Sequence, residues 1–157
     1  MNVNNKEIER KFLVKTLPEG LSSYECKSII QAYVSTNPTL RIRKADDKYF
    51  FTFKSAGIIE KAEFEYPITE EQFNHLKEKT EGNIIEKKRY IIPLDEELIA
   101  ELDIYSGDLQ GFMNVEVEFK SMQEALIFNP PEWFGEEISL DRRYSNASLS
   151  LCGLPKD

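Results

Sequence analysis

The chain has 157 residues, 41% hydrophobic and 31% charged, a length and balance that suit a single cored domain over residues 1–157. Its net charge of −8 and pI near 4.9 argue against nucleic acid as a partner, because non-specific binding needs a basic face. No run of about 18 apolar residues occurs and MNVNNKE lacks an apolar signal core, so the expectation is a cytoplasmic protein without membrane contact.

The first element, EIERKFLV at 7–14, alternates as a strand, with Glu7, Glu9 and Lys11 on one face and Ile8, Arg10, Phe12 and Val14 on the other. Arg10, the one charge on the apolar face, reads as a surface residue. Residues 18–30 are a candidate helix, and period-2 strands follow at 31–35, 39–45, 48–55 and 61–68. Thr69-Glu70-Glu71-Gln72 is a capping box that opens a helix through Phe73 and Leu76 to near Gly82. Strands are then expected at 84–94, 98–107 and 111–119. Ser121 with Glu124 starts a short helix closed by Pro130-Pro131, residues 136–141 are a candidate ninth strand, and Ser145 starts a last helix that Gly153 stops. The class is therefore α+β with a mainly antiparallel sheet, as a sandwich or a barrel. Cys26 and Cys152 have no metal-ligand spacing and read as buried free thiols, His75 as a solvated helical residue, and Trp133 and Phe134 as a cover for one barrel end.

The oddity of the first strand recurs. Arg41 and Arg43 share a face, as do Glu63 and Glu65, Lys87 and Arg89, and Glu116 and Glu118, while Asp103 falls between Leu102 and Ile104. A solvated face would account for any one of these pairs. Repeated like-sign pairs repel, however, unless opposite charges or bound ions face them. A closed barrel with an ionic lumen meets that need, since alternate residues of every strand converge inside it. The arginines and lysines of such a lumen offer charge-assisted hydrogen bonds to phosphate, and its carboxylates suit Mg²⁺ or Mn²⁺ bound together with phosphates. No glycine-rich phosphate loop occurs in the sequence.

EIERKFLV carries the E-x-E-x-K signature and resembles the CYTH superfamily, the triphosphate tunnel metalloenzymes. R-x-R at 41–43, T-F-K at 52–54, E-F-E at 63–65, K-K-R-Y at 87–90, V-E-V-E at 115–118 and D-R-R-Y-S-N at 141–146 follow in the order of that family, so the likeness covers nearly the whole chain. The resemblance implies an eight-stranded antiparallel β-barrel, with helices outside, that binds a triphosphate and divalent metal, two ions of Mg²⁺ or Mn²⁺. It further implies Glu7, Glu9, Glu116 and Glu118, with Asp103 as an addition, as metal ligands, and Lys11, Arg41, Arg43, Lys54, Lys87, Arg89 and Arg143 as phosphate ligands. The catalytic set that the resemblance implies is Glu7, Glu9, Lys11 and Lys54, with Glu63 and Glu65 either orienting cations or adding to a metal site. The implied activity is hydrolysis of the terminal phosphate of a triphosphate, inorganic tripolyphosphate foremost and nucleoside triphosphates besides. The alternatives are a class IV adenylate cyclase, a thiamine triphosphatase and a non-catalytic polyphosphate-binding module.

Overall fold

The computed structural model describes residues 5–55, 59–95 and 97–156. Nine strands run in chain order: β1 (Asn5–Val14), β2 (Glu25–Thr36), β3 (Thr39–Ala45), β4 (Lys48–Lys54), β5 (Glu60–Ile68), β6 (Glu81–Pro93), β7 (Ile99–Ser106), β8 (Met113–Phe119) and β9 (Phe134–Glu137). They form one sheet in the order β5-β4-β3-β2-β6-β7-β8-β1-β9, and a further β5–β1 pairing closes the first eight into a barrel. Every neighbouring pair is antiparallel. The expected α+β antiparallel barrel is thus the observed one. β1 closes it by changing partners along its length: Asn5–Ile8 pair with β5, Ile8–Leu13 with β8, and Phe12 and Val14 with β9.

Three helices accompany the barrel: α1 (Glu70–Lys77), α2 (Met122–Ile127) and α3 (Asn146–Cys152). Thr69 caps α1 through the full reciprocal box with Gln72, Ser121 caps α2 by accepting from the Glu124 amide, and Ser145 caps α3 by accepting from that of Ser148. α1 is shorter than expected, ending at Lys77, and Gly82 belongs instead to β6. The expected helix over 18–30 is overturned: only Leu21–Ser23 makes a 3-10 turn, and β2 begins at Glu25. The first four residues of β2 are exposed, so burial left no period-2 trace there, although their backbone is paired with β6. Cys26 and Cys152 are free, but both are exposed rather than buried.

Of three apolar clusters among the described residues, two lie on opposite sides of the barrel wall. On the outer face Ile8, Phe12, Leu102, Val115, Val117 and Phe119 pack beneath Ala125 of α2 and Phe134. Phe134 and Trp133 therefore cover the back of β1, with the Phe12 and Phe134 rings 5.0 Å apart, rather than a barrel end. The second cluster joins Tyr33, Ile85 and Tyr105 to Leu149 of α3. Residues directly opposite across a ladder share a face. Tyr33 is opposite Arg41, Ile85 opposite Gln31 and Tyr105 opposite Lys87, so this cluster sits on the charged, inner face. α3 thus fills one end of the lumen with apolar side chains.

Gly82 permits that arrangement. Its φ is +72°, and a Cβ there would lie 2.7 Å from Ser150 Oγ and 2.9 Å from the Ser150 carbonyl oxygen in α3. Gly82→Ala combines left-handed strain with a backbone clash, and we expect it to destabilise the fold by about 1–3 kcal/mol, read as a lower denaturation midpoint.

Candidate active site

The basic cluster of the lumen comes from two strands, β3 and β6, which lie on either side of β2. β3 presents Arg41 opposite Tyr33 and Arg43 opposite Gln31, while β6 presents Lys87 and Arg89 opposite Tyr105 and Asp103. Arg41 is only 3% exposed. Its Nη2 lies 3.6 Å from Glu63 Oε1 and donates to Thr52 Oγ1 at 3.3 Å, whereas its Nε is buried without an acceptor. Arg43 donates through Nε to Gln31 Oε1 at 3.0 Å. Arg89 makes a two-bond fork to Asp103, 2.8 and 2.9 Å, and Lys87 Nζ lies 2.8 Å from the same carboxylate. That contact is an ion pair without hydrogen-bond alignment.

Burial sets the electrostatics of this cluster. It pushes the Lys87 ammonium down to about 7, with Arg89 and Arg43 adding repulsion that Asp103 only partly offsets. Burial followed by repulsion from Arg41 and Arg89 pushes Arg43 down as well. Burial acts on Arg89 in the same direction, yet its fork to Asp103 holds it well above its ordinary value. Burial opposes the charge on Asp103, but Arg89 and Lys87 keep its carboxyl below the usual range.

Away from the α3 end, β1, β7 and β8 turn carboxylates inward. Glu9 is opposite Glu118, and Glu116 is opposite both Lys11 and Glu101. Lys11 Nζ lies 3.2 Å from Glu116 and donates to the Tyr144 carbonyl at 3.4 Å, while Lys54 Nζ lies 3.3 Å from Glu7. Burial raises the Glu116 carboxyl, but Lys11, Glu9, Arg89 and Lys87 together outweigh it and the group sits well below the carboxylate range. Glu7 is lowered in the same way, burial being outweighed by Lys54 and Glu9 together. Burial pulls Lys11 down, yet Glu116 and Glu9 leave it above its ordinary value. Glu118 goes the other way: burial first, then repulsion from Glu7 and Glu101, raise it. The result is a negative end beside a positive middle.

The structure thus brings Glu7, Glu9, Lys11, Lys54, Arg41, Arg43, Lys87, Arg89, Asp103, Glu116 and Glu118 to the inner face. Glu63 and Glu65 also face inward, the first toward Arg41 and the second accepting from Thr52 Oγ1 at 3.4 Å. Arg143 lies elsewhere. Its side chain is 62% exposed, forks onto Asp141, and lines an exterior groove with Arg10, Ile138 and Leu140. Tyr144, beside it, is the residue whose carbonyl reaches Lys11. Gln31, Thr52, Tyr105 and Asn114 also face the lumen and are absent from the sequence-derived set. The available signal was spacing, for Gln31 stands two residues from Tyr33, Thr52 two from Lys54, Tyr105 two from Asp103 and Asn114 two from Glu116.

Arg10 is no loose surface charge. It forks onto Glu137 at 2.9 and 2.6 Å, and its Nη1 donates to the carbonyls of Ala125 and Phe128, closing the end of α2. Glu137 in turn accepts from Ser139 Oγ, which accepts from the Lys11 amide. The clamp fixes the strand from behind at the residue between Glu9 and Lys11.

A family model described as the CYTH domain matches residues 5–148. The chain belongs to this family. It is 44% identical to an inorganic triphosphatase of Nitrosomonas europaea over 149 residues, covering 92% of this chain and 97% of that one. An inorganic triphosphatase of Acetivibrio thermocellus is 33% identical over 153 residues, 92% of each chain. Among solved structures, that of an inorganic triphosphatase superposes with a TM-score of 0.71 at 41% identity, covering 95% of this chain and 97% of that chain. A Hippeastrum structure of a candidate adenylyl cyclase with a dominant triphosphatase activity, 18% identical, reaches a TM-score of 0.58 over 76% and 82% of the two chains and shares the fold alone.

The acidic end of this CYTH barrel suits a hard divalent cation. Glu9 lies within hydrogen-bonding reach of both Glu7 and Glu116, an approach of carboxyl groups that needs a shared proton or cation. Among the described residues no three acidic, histidine or cysteine side chains already converge as a closed cage. Magnesium tolerates that, since it is commonly held by one or two carboxylates, water and substrate phosphates.

Two outcomes follow from this geometry. Arg10→Met removes the ion pair with Glu137 and leaves the Ala125 and Phe128 carbonyls without this donor, and should lower stability by about 1–3 kcal/mol in denaturant titration. Lys87 bears on pH: above about 7 the folded chain lacks a proton that the unfolded chain keeps to its ordinary lysine value. The contribution of Lys87 to stability therefore grows as pH rises from 7 to 9, by roughly 1 kcal/mol per unit, and is lost on acidification. Lys87→Met should remove that slope, seen as urea midpoints compared across the range.

Proposed function

We propose that this chain hydrolyses the terminal phosphoanhydride bond of inorganic tripolyphosphate, using Mg²⁺ or Mn²⁺ as a pair of ions, and turns over nucleoside triphosphates less well. One observation carries the reading: a buried cation cluster, short of acceptors, lies beside an inward-facing set of carboxylates in a barrel stopped at one end by α3. That layout suits a short, wholly anionic substrate. The inorganic triphosphatases similar to this chain over more than nine-tenths of their length favour the same substrate. The working unit is residues 1–157 as one domain, acting in the cytoplasm. No helix among the described residues is long and apolar enough to cross a membrane.

In this reading Arg41, Arg43, Lys87 and Arg89 bind the phosphates that do not react, Arg89 being held in place by Asp103. Asp103 thus acts by orienting cations rather than as a metal ligand, because Arg89 and Lys87 already take its oxygens. Glu63 orients Arg41 in the same manner. Lys11 and Lys54 bridge to Glu116 and Glu7, so each can exchange a carboxylate for a terminal-phosphate oxygen. Divalent ions held by Glu7, Glu9, Glu116 and Glu118, when bound, supply Lewis-acid polarisation and a water of lowered pKa. Attack of water in line with the leaving oxygen yields orthophosphate and diphosphate, and the basic cluster stabilises the charge on the departing diphosphate. Arg143 stays outside this set, engaged by Asp141.

Orthophosphate release from tripolyphosphate, with products identified, tests the reading in Mg²⁺ and Mn²⁺. Glu9→Gln and Glu118→Gln should each lower kcat by about 100-fold or more with the fold retained. Undiminished turnover in both would reject the carboxylates as metal ligands, and cyclic AMP with diphosphate from ATP would make the chain a cyclase instead.

A further inference from the structure

Gln31 is completely buried in β2, on the inner face, opposite Arg43 of β3 and Ile85 of β6. Its Oε1 accepts from Arg43 Nε at 3.0 Å. A guanidinium N–H can only donate, so this bond fixes the amide: Oε1 faces Arg43 and the NH₂ group points away. That NH₂ has no acceptor and is sealed from solvent. Arg41 Nε and Lys87 Nζ also lack a hydrogen-bond acceptor, Lys87 keeping only its ion pair with Asp103, so among the described residues these are three buried donors without hydrogen-bond acceptors. Leaving a buried donor unpaired is costly, and an apolar residue would avoid the cost, as Ile29 does two positions earlier on the same face. The three donors stand close in register on one face, Arg41 opposite Tyr33 and Lys87 opposite Ile29, each two residues from Gln31 along β2, and an anion with several oxygens suits such a group.

We propose that Gln31 is a substrate-binding residue that donates from Nε2 to a phosphate oxygen of tripolyphosphate while its Oε1 holds Arg43. This rests on the proposed hydrolysis of that substrate. A neutral amide adds a contact to the polyanion without adding to the repulsion that already pushes Lys87 and Arg43 down. The simpler role, in which Gln31 only steadies Arg43, makes different predictions. Gln31→Leu removes both functions, Gln31→Glu keeps the acceptor for Arg43 and removes the donor, and Arg43→Lys keeps the positive charge while removing Nε.

The test measures kcat and KM for tripolyphosphate in these variants and in Gln31→Leu combined with Arg43→Lys, with melting curves to establish folding. Loss of a hydrogen bond to a charged group predicts a KM for Gln31→Leu raised about tenfold, with kcat changed less, and the same factor in the Arg43→Lys background. Gln31→Glu should raise KM at least as much, although it tightens the hold on Arg43. An unchanged KM in Gln31→Leu, an effect that vanishes in the Arg43→Lys background, or a wild-type KM in Gln31→Glu would each overturn the proposal. If Gln31→Leu does not fold, Gln31→Glu decides it alone. A wild-type enzyme without tripolyphosphate turnover would instead reject the proposed hydrolysis, before any variant is compared.

Discussion

Arg41, Arg43, Lys87 and Arg89 share the interior of one eight-stranded barrel, and the rest of the molecule is arranged around that fact. A charge taken out of water is strongly unfavourable unless it is paired and hydrogen-bonded. Asp103, itself completely buried, meets part of the need by forking onto Arg89 and contacting Lys87. Glu63, Thr52 and Gln31 meet more of it. The compensation stops short, with positive groups left pushing one another toward the neutral state. A barrel held in that condition has much to gain from a polyanion, and binding and folding draw on the same unsatisfied donors.

The barrel is also asymmetric along its length. At one end Tyr33, Ile85, Tyr105 and Leu149 pack as an apolar stopper, with Tyr105 Oη further tied to Asn146 of α3 at 2.8 Å. Along β8, in moving away from that end, the inner face changes from Asn114 to Glu116 to Glu118. Glu116 is neutralised by Lys11, whereas Glu118 stands among other carboxylates. Positive middle and negative rim are therefore continuous along one lumen. The Arg10 clamp supports this from outside, since β9 and the end of α2 press on the strand that carries Glu7, Glu9 and Lys11.

Much of this was legible in the chain because a strand has a period of two and like charges at that spacing are hard to explain on a solvated face. The same rule failed where burial did not follow the backbone. Glu25 to Ser28 extend β2 past the region buried by the barrel, so their side chains carry no alternation although their backbone is paired with β6. It also failed for neutral residues. Gln31 and Asn114 sit in the same period-2 positions as the charges, but an amide in a strand attracts no notice until its neighbours are known.

Local patterns in the chain carried the class of fold and the inward face of most strands, because alternation and capping are local and each strand states its own sidedness, while the ordered motifs carried the likeness to the CYTH family. Which charges meet was decided only in three dimensions. Lys87 and Arg89 meet Asp103 through the register of β6 with β7, and Lys11 meets Glu116 through that of β1 with β8. Tertiary packing likewise turned Arg10 from a surface charge into a clamp and left Arg143 with Asp141 on the outer side. Register joins strands near in the chain, as β6 with β7, and strands far apart in it, as β1 with β8, and in neither case does the pattern of one strand encode its partner.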